Sequence, residues 1–279
     1  MTRAERATAA RAQACDDARW VHLPGRHGPL RARLFELAAA RGLFLHLHGG
    51  GWVFGSADQQ DALLDQVRHA AQVNVLSLEY RLAPEHPYPA ALHDAQDALC
   101  SLIEQPHLLP GAHRIVVGGE SAGACLAAAA LSALRGHARF AAIKGVSFHY
   151  GTFDLLRATP GGQEQLPFLD ETLIRWFAQQ YATPAQWREP GVSPLFDHWQ
   201  GMPRALFLAG SADPVMDDSR RLHARWLEAG SQAQLALLPG GLHGMLELRT
   251  PLTAAARRVV SSFITDCLVH RQEDGTPGR

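Results

Sequence analysis

Apolar and polar positions along the chain fall into two alternating rhythms. GLFLHLHGG, from Gly42, has period two: Phe44, His46 and His48 face one way, and Leu43, Leu45 and Leu47 the other, as in a strand. VNVLSLEY from Val73, RIVVGG from Arg114, AIKGVSFHY from Ala142, RALFLAG from Arg204 and QLALLPG from Gln234 read as further strands. A strand-like alternation around Leu30–Leu37 follows a turn at Pro24–Gly28. Between them, helical spacing predicts helices over Asp58–Gln72, with Leu63, Leu64, Val67 and Ala70 or Ala71 as the buried stripe, and over Ala90–Glu104 and Ala122–Arg135. Later helices are expected near Leu169–Tyr181, Ser219–Glu228 and Leu252–Val269. The first twenty residues, rich in Ala and Arg, read as a short helix, and no internal repeat is present.

Strands alternating with helices predict an α/β protein whose mostly parallel central sheet is covered by helices on both faces. Residues 151–203 break the rhythm with Pro, Gly and aromatics, and an insertion of that length tends to be functional. The expected organisation is an N-terminal helical segment over 1–20, a core in two parts over 21–150 and 204–270, a cap-like insertion over 151–203, and a flexible tail over 271–279. Ligands of parallel sheets bind beyond the C-terminal ends of the strands. The residues there are His48–Gly51, Glu79–Arg81, Gly119–Gly123, Tyr150–Asp154, Gly210–Asp218 and Gly240–Gly244.

Composition narrows the classes. With 279 residues, 47% of them apolar, and a formal net charge of -1, the chain suits one large core and offers no basic surface for nucleic acid or anionic membrane. Lys144 is the only lysine, and the arginines are dispersed, as on solvated faces. Cys15, Cys100, Cys125 and Cys267 lie far apart, without a CxxC or zinc-ligand spacing, which suggests free thiols in a reducing compartment. The opening MTRAERATAARAQACDDARW has no apolar core of a signal peptide, and no run is long enough to span a membrane. The expectation is a soluble cytoplasmic protein without integral membrane contact, its oligomeric state left open.

The chemistry concentrates in three of the strand-end segments. Gly119, Ser121 and Gly123 form G-x-S-x-G between a strand and a helix, the context in which the serine is lifted clear of the sheet at a helix N-terminus. Glycine two before and two after relieves the crowding of so sharp a turn. A serine hydroxyl is a weak nucleophile until a base takes its proton and an acid orients the base. In this chain order the acid precedes the histidine. His243, in GGLHGM after the last strand, is the candidate base; His223 and His198 are worse placed. Asp213, at the end of its strand and stiffened by Pro214, is favoured as acid over Asp217, which with Asp218 also suits a helix cap. Glycines 49–51 offer backbone N–H groups to an oxyanion, joined by the N–H of Ala122. A dinucleotide loop fits poorly, because G-x-G-x-x-G is missing and Trp52 follows at once. His46 and His48 share a strand face but lack a matching Asp, Glu or Cys cluster for a metal. Cys125 reads as a small core residue. Trp52, Phe54, Phe153, Phe168, Trp176, Phe177 and Trp187 are candidate walls of a mostly apolar pocket.

HGGGWVFGS at 48–56, YRLAPEHPYPAALHDA at 80–95, GGESAGA at 118–124, SPLF at 193–196, SADPVMDD at 211–218 and GGLHGM at 240–245 together resemble the hormone-sensitive-lipase-like group of α/β-hydrolases, over roughly residues 42–265. The resemblance implies an α/β-hydrolase fold with a small helical cap. It implies Ser121 as nucleophile, Asp213 as acid, His243 as base, and an oxyanion hole from Gly50, Gly51 and Ala122. His48 would orient the glycine loop, while Tyr80, Arg81, Pro84 and Glu85 would brace the pocket floor. The chain departs from the group in three ways: a short segment before the first core strand, Met245 where Phe is frequent, and Glu120 where Asp is also common. The first implies a reduced cap; the other two bear on packing around the site and pocket. The implied activity is a serine carboxylesterase acting with water on small to medium neutral esters, with no metal or organic cofactor. An amide or formamide hydrolase with the same triad is the alternative, and a non-catalytic binding protein on the same fold the third.

Overall fold

The computed structural model describes residues 15, 17–156 and 169–269. Eight strands form one sheet in the order β1-β2-β4-β3-β5-β6-β7-β8. They are β1 (Ala18–Leu23), β2 (Leu30–Phe35), β3 (Leu43–Leu47), β4 (Asn74–Leu78), β5 (Ile115–Glu120), β6 (Ile143–His149), β7 (Ala205–Gly210) and β8 (Ala233–Leu238). β2 runs antiparallel to both β1 and β4, and every pairing from β4 through β3 to β8 is parallel. The central strands β3, β4, β5 and β7 are buried along their whole length, as strands covered on both faces must be.

Among the described residues the α-helices are α1 (Asp61–Ala71), α2 (Ala90–Glu104), α3 (Ala122–Ala133), α4 (Glu171–Tyr181), α5 (Met216–Glu228) and α6 (Pro251–Val269); α4 lies in the insertion and the others pack on the sheet. The period-two reading of β3 explains the layers. Leu43, Leu45 and Leu47 join the core beneath α2, α3 and α5, with Leu99, Leu126 and Trp226. Phe44 points to the opposite core, with Leu64 and Val67 of α1 and Val260 and Phe263 of α6. His46, on that second face, meets the Ser77 hydroxyl of β4 at 3.1 Å. α3 carries almost no side-chain bulk in its first turns, so it lies against the strands: a Cβ on Gly123 would stand 2.1 Å from the Leu47 carbonyl oxygen.

Some boundaries differ from expectation. Of the helix expected over 1–20, residues 1–14 and 16 lie outside the described residues, while residues 18–20 open β1. There the antiparallel ladder with β2 satisfies the backbone, and the Arg31 guanidinium sits 3.6 Å above the Trp20 ring. α5 starts at Met216 rather than near Ser219, with Val215 at its N-cap, so Asp217 and Asp218 belong to its first turn and neither caps it. Asp218 instead accepts the N–H groups of Phe153 (2.8 Å) and Asp154 (3.0 Å), anchoring the start of the insertion. Of the insertion's elements, α4 falls within two residues of expectation. Among the described residues no helix is long and apolar enough to cross a membrane.

Candidate active site

β5 ends at Glu120 and α3 begins at Ala122, leaving Ser121 alone in the turn at φ 53° and ψ -118°. Few non-glycine residues adopt a positive φ, and such strain clusters where a side chain must be presented. The flanking glycines are needed sterically, since a Cβ on Gly119 would come within 2.5 Å of the Gly123 backbone. The Ser121 N–H donates to the His149 carbonyl at 2.9 Å, fixing the turn to β6.

Three segments distant in sequence meet here. His243 Nε2 lies 2.9 Å from Ser121 Oγ, and His243 Nδ1 lies 3.1 and 3.0 Å from the two carboxylate oxygens of Asp213. Asp213 is 1% exposed, and it also accepts the Val215 N–H at 2.9 Å. Its rival Asp217 points outward, half exposed and 3.5 Å from Arg220. The ring edge of Tyr150, just past β6, packs against His243 with centroids 5.1 Å apart.

The glycine loop lies alongside. Gly50, Gly51 and Trp52 all have positive φ, of 118°, 60° and 61°. The Gly50 carbonyl accepts the N–H groups of Val53 and Phe54, which closes the loop into a tight turn. The N–H groups of Gly50, Gly51 and Ala122 have no acceptor among the described residues. His48 is buried, stacked on Tyr80 at 4.1 Å, and bonded through Nδ1 to the Gly49 carbonyl at 2.8 Å. Burial lowers its pKa to about 4, so the ring is neutral and Nδ1 donates. The Tyr80 hydroxyl donates to the His48 carbonyl at 2.7 Å. Arg81 forks onto Asp94 of α2 at 2.7–3.1 Å. Glu85 is exposed, with no side-chain hydrogen bond found among the described residues.

A family model described as alpha/beta hydrolase fold matches residues 44–247. The chain belongs to the alpha/beta-hydrolase family. It is 35% identical over 229 residues to an ethyl acetate hydrolase of Pseudomonas putida, spanning 80% of this hydrolase and 72% of that one. It is 32% identical over 245 residues to a carboxylic ester hydrolase of Mycobacterium tuberculosis, spanning 82% of this chain and 64% of that one. Among solved structures it resembles a thermostable carboxylesterase cloned from a metagenomic library, with TM-score 0.86, 27% identity and coverage of 96% and 98%. A hyperthermophilic esterase of the archaeon Pyrobaculum calidifontis gives TM-score 0.86 at 25% identity, with coverage of 96% and 92%. Within the family the chain stands among the esterases related to bacterial carboxylesterases.

The expected pocket residues of this hydrolase divide into two groups. Phe54, Trp176 and Phe177 form an aromatic cluster over the glycine loop, with centroids 5.4–6.2 Å apart. Phe177 is seated so closely that a Cβ on Gly51 would meet its ring at 2.4 Å, and Trp176 remains 41% exposed. Trp52 turns inward, 3% exposed and stacked on Tyr181 at 4.6 Å. Phe153 is a core side chain, wholly buried against Phe148 and Phe207, and is no pocket wall. Met245 is likewise buried, backing the histidine loop. Trp187 packs partly buried with its indole N–H on the Ala182 carbonyl, and Phe168 lies outside the described residues. A groove of about 370 Å³ between α1 and α6 contains no triad residue.

Glu120 is buried, and the amide of Gln60 donates to it. Burial alone would raise its pKa, but the His149 and His46 rings beside it hold it well below the usual carboxylate range. The same Gln60 amide donates to Glu247 at 2.9 Å. Sequence reading missed Gln60, Tyr150, Asp94 and Glu247. Tyr150 stood at a strand end, Asp94 within the 80–95 motif and Glu247 four residues after His243, whereas Gln60 carried no such signal. Among the described residues one trio brings metal-type donor atoms together: Cys100, Glu104 and His137, within 4.8 Å of one another. His137 Nδ1 accepts the Arg139 N–H at 3.1 Å, so in the neutral ring Nε2 bears the proton and donates to Glu104 at 3.2 Å, which describes a hydrogen-bonded trio.

Proposed function

We propose that this chain is a serine carboxylesterase that hydrolyses small to medium, mostly neutral carboxylic esters through Ser121, His243 and Asp213. The observation that carries the reading is the single histidine bridging a strained serine and a buried aspartate. His243 Nε2 takes the Ser121 proton as Oγ attacks the ester carbonyl. The N–H groups of Gly50, Gly51 and Ala122 receive the negative charge that develops on the carbonyl oxygen, aided by the positive N-terminus of α3. Asp213 holds the proton-bearing Nδ1 and stabilises the imidazolium, which then protonates the leaving alcohol. Water then attacks the acyl carbon as it gives a proton to His243, and His243 returns that proton to Ser121 Oγ as the C–O bond breaks and the acid leaves.

Neutral esters suit the aromatic cluster of Phe54, Trp176 and Phe177 beside the glycine loop, which offers apolar surface and no charge. That cluster, standing over the glycine loop, favours short acyl groups. The test is kcat/KM over p-nitrophenyl esters from acetate to laurate, aryl acetates and N-formyl amides, below micelle concentrations, with Ser121→Ala as blank. Each methylene that fits contributes roughly 0.8 kcal/mol, about fourfold in kcat/KM. The expected profile rises with acyl length and falls beyond about four to six carbons. A steady rise through ten or twelve carbons contradicts the short acyl site, and preference for the amides contradicts the esterase reading.

A further inference from the structure

One buried side chain of the site takes no part in the steps above, yet bonds to the segments that carry Ser121 and His243. Gln60 is 3% exposed and stands at the N-cap of α1, at the end of the loop that begins with the glycines. A buried primary amide is costly unless its donors are used, and it has two N–H groups to place. Gln60 donates one to Glu120, the residue before Ser121, and one to Glu247, four residues after His243. The turn bearing Glu247 is gripped from its other side by α6. Arg257 donates to the Leu246 carbonyl at 2.9 Å and to Gln66 of α1 at 2.7 Å, and the Thr253 hydroxyl donates to the Met245 carbonyl at 2.9 Å.

We propose that Gln60 is a positioning residue whose amide clamps the nucleophile turn to the histidine turn through Glu120 and Glu247, and so holds Ser121 Oγ and His243 Nε2 at bonding distance. This deepens the esterase reading and rests on Ser121 and His243 being nucleophile and base. Two carboxylates on one amide repel unless one keeps its proton. Glu120 is the anionic one. Glu247 is exposed on its outer side, but its carboxyl faces inward. Loss of hydration there, then the Glu120 charge, push it up to about 7. The groups facing it are Gln60, Glu120, His243, Arg257 and Tyr150.

The experiment compares Gln60→Leu, Glu247→Leu, Glu247→Gln and the Gln60→Leu/Glu247→Leu double variant, with kcat, KM and pH profiles on one short-chain ester. Titration with a fluorophosphonate counts folded, reactive sites in each. Gln60→Leu and Glu247→Leu are expected to lower kcat about ten- to a hundredfold per reactive site, with KM within about threefold. The double variant should lose no more than the worse single one, because both break one clamp. Glu247→Gln still accepts from Gln60 and should recover most of the loss. Gln60→Leu with kcat within twofold of the parent overturns the proposal. So do losses that add in the double variant, or a Glu247→Gln that is as impaired as Glu247→Leu. Turnover persisting in Ser121→Ala strikes instead at the nucleophile assignment.

Discussion

Ser121 occupies a conformation that its own side chain disfavours, and its neighbours' lack of side chains makes room for it. A methyl group at position 123 would lie 2.1 Å from the Leu47 carbonyl oxygen, a backbone atom that cannot swing aside. Gly123→Ala should therefore destabilise the protein by about 3 kcal/mol, the upper range for overpacking, with a matching loss in the urea midpoint. The two candidate acids also differ at this scale. Asp213 meets His243 at 3.0 Å from the end of β7, whereas Asp217 faces Arg220. Asp213→Asn should cost on the order of 10⁴ in kcat, as in triads generally, and Asp217→Asn less than about threefold. Both glycines, the serine, the histidine and the acid were legible because chain order and strand-end placement constrain them. Gln60 was not, since a glutamine at the end of a loop carries no pattern, and its partners lie 60 and 187 residues away.

At the scale of elements, the sequence showed most where burial is two-sided or strongly periodic. α2 spans Ala90–Glu104, as its apolar stripe requires, and the alternation of β3 separates the two cores. It misled at residues 18–20, where Ala and Arg favour a helix but pairing with β2 wins. The antiparallel edge is tied to α1 by Arg33 of β2, which reaches the carboxylate of Asp61 at 2.8 Å; the Asp61 side chain is wholly buried. Asp61 also accepts the Cys15 N–H at 2.9 Å, and Arg33 donates to the Cys15 carbonyl. Removing one partner of a buried pair leaves the other charge without compensation. Asp61→Ala should cost about 3–5 kcal/mol in urea unfolding, and replacing both residues by apolar ones of similar volume distinctly less. If the single variant loses under about 1 kcal/mol, water reaches the pair and it is not the tie described.

For the whole molecule, the sheet brings together at one edge Ser121 and His243, 122 residues apart in the chain. The order of strand ends was readable from the sequence, and so were the candidate residues that stand there. The insertion was less so, because its aromatics serve two purposes: Phe153 fills the core, whereas Trp176 and Phe177 join Phe54 over the glycine loop. Composition does not distinguish a core aromatic from a lining one when neither helix nor strand periodicity assigns it a face. The whole account turns on one hydroxyl being the atom that takes the acyl group. Incubating the protein with a fluorophosphonate and mapping the adduct by mass spectrometry measures this. One phosphonyl group per chain, on Ser121, with activity lost in step and no adduct in Ser121→Ala, is the expected result. An adduct elsewhere, or ester turnover that survives without one on Ser121, contradicts it.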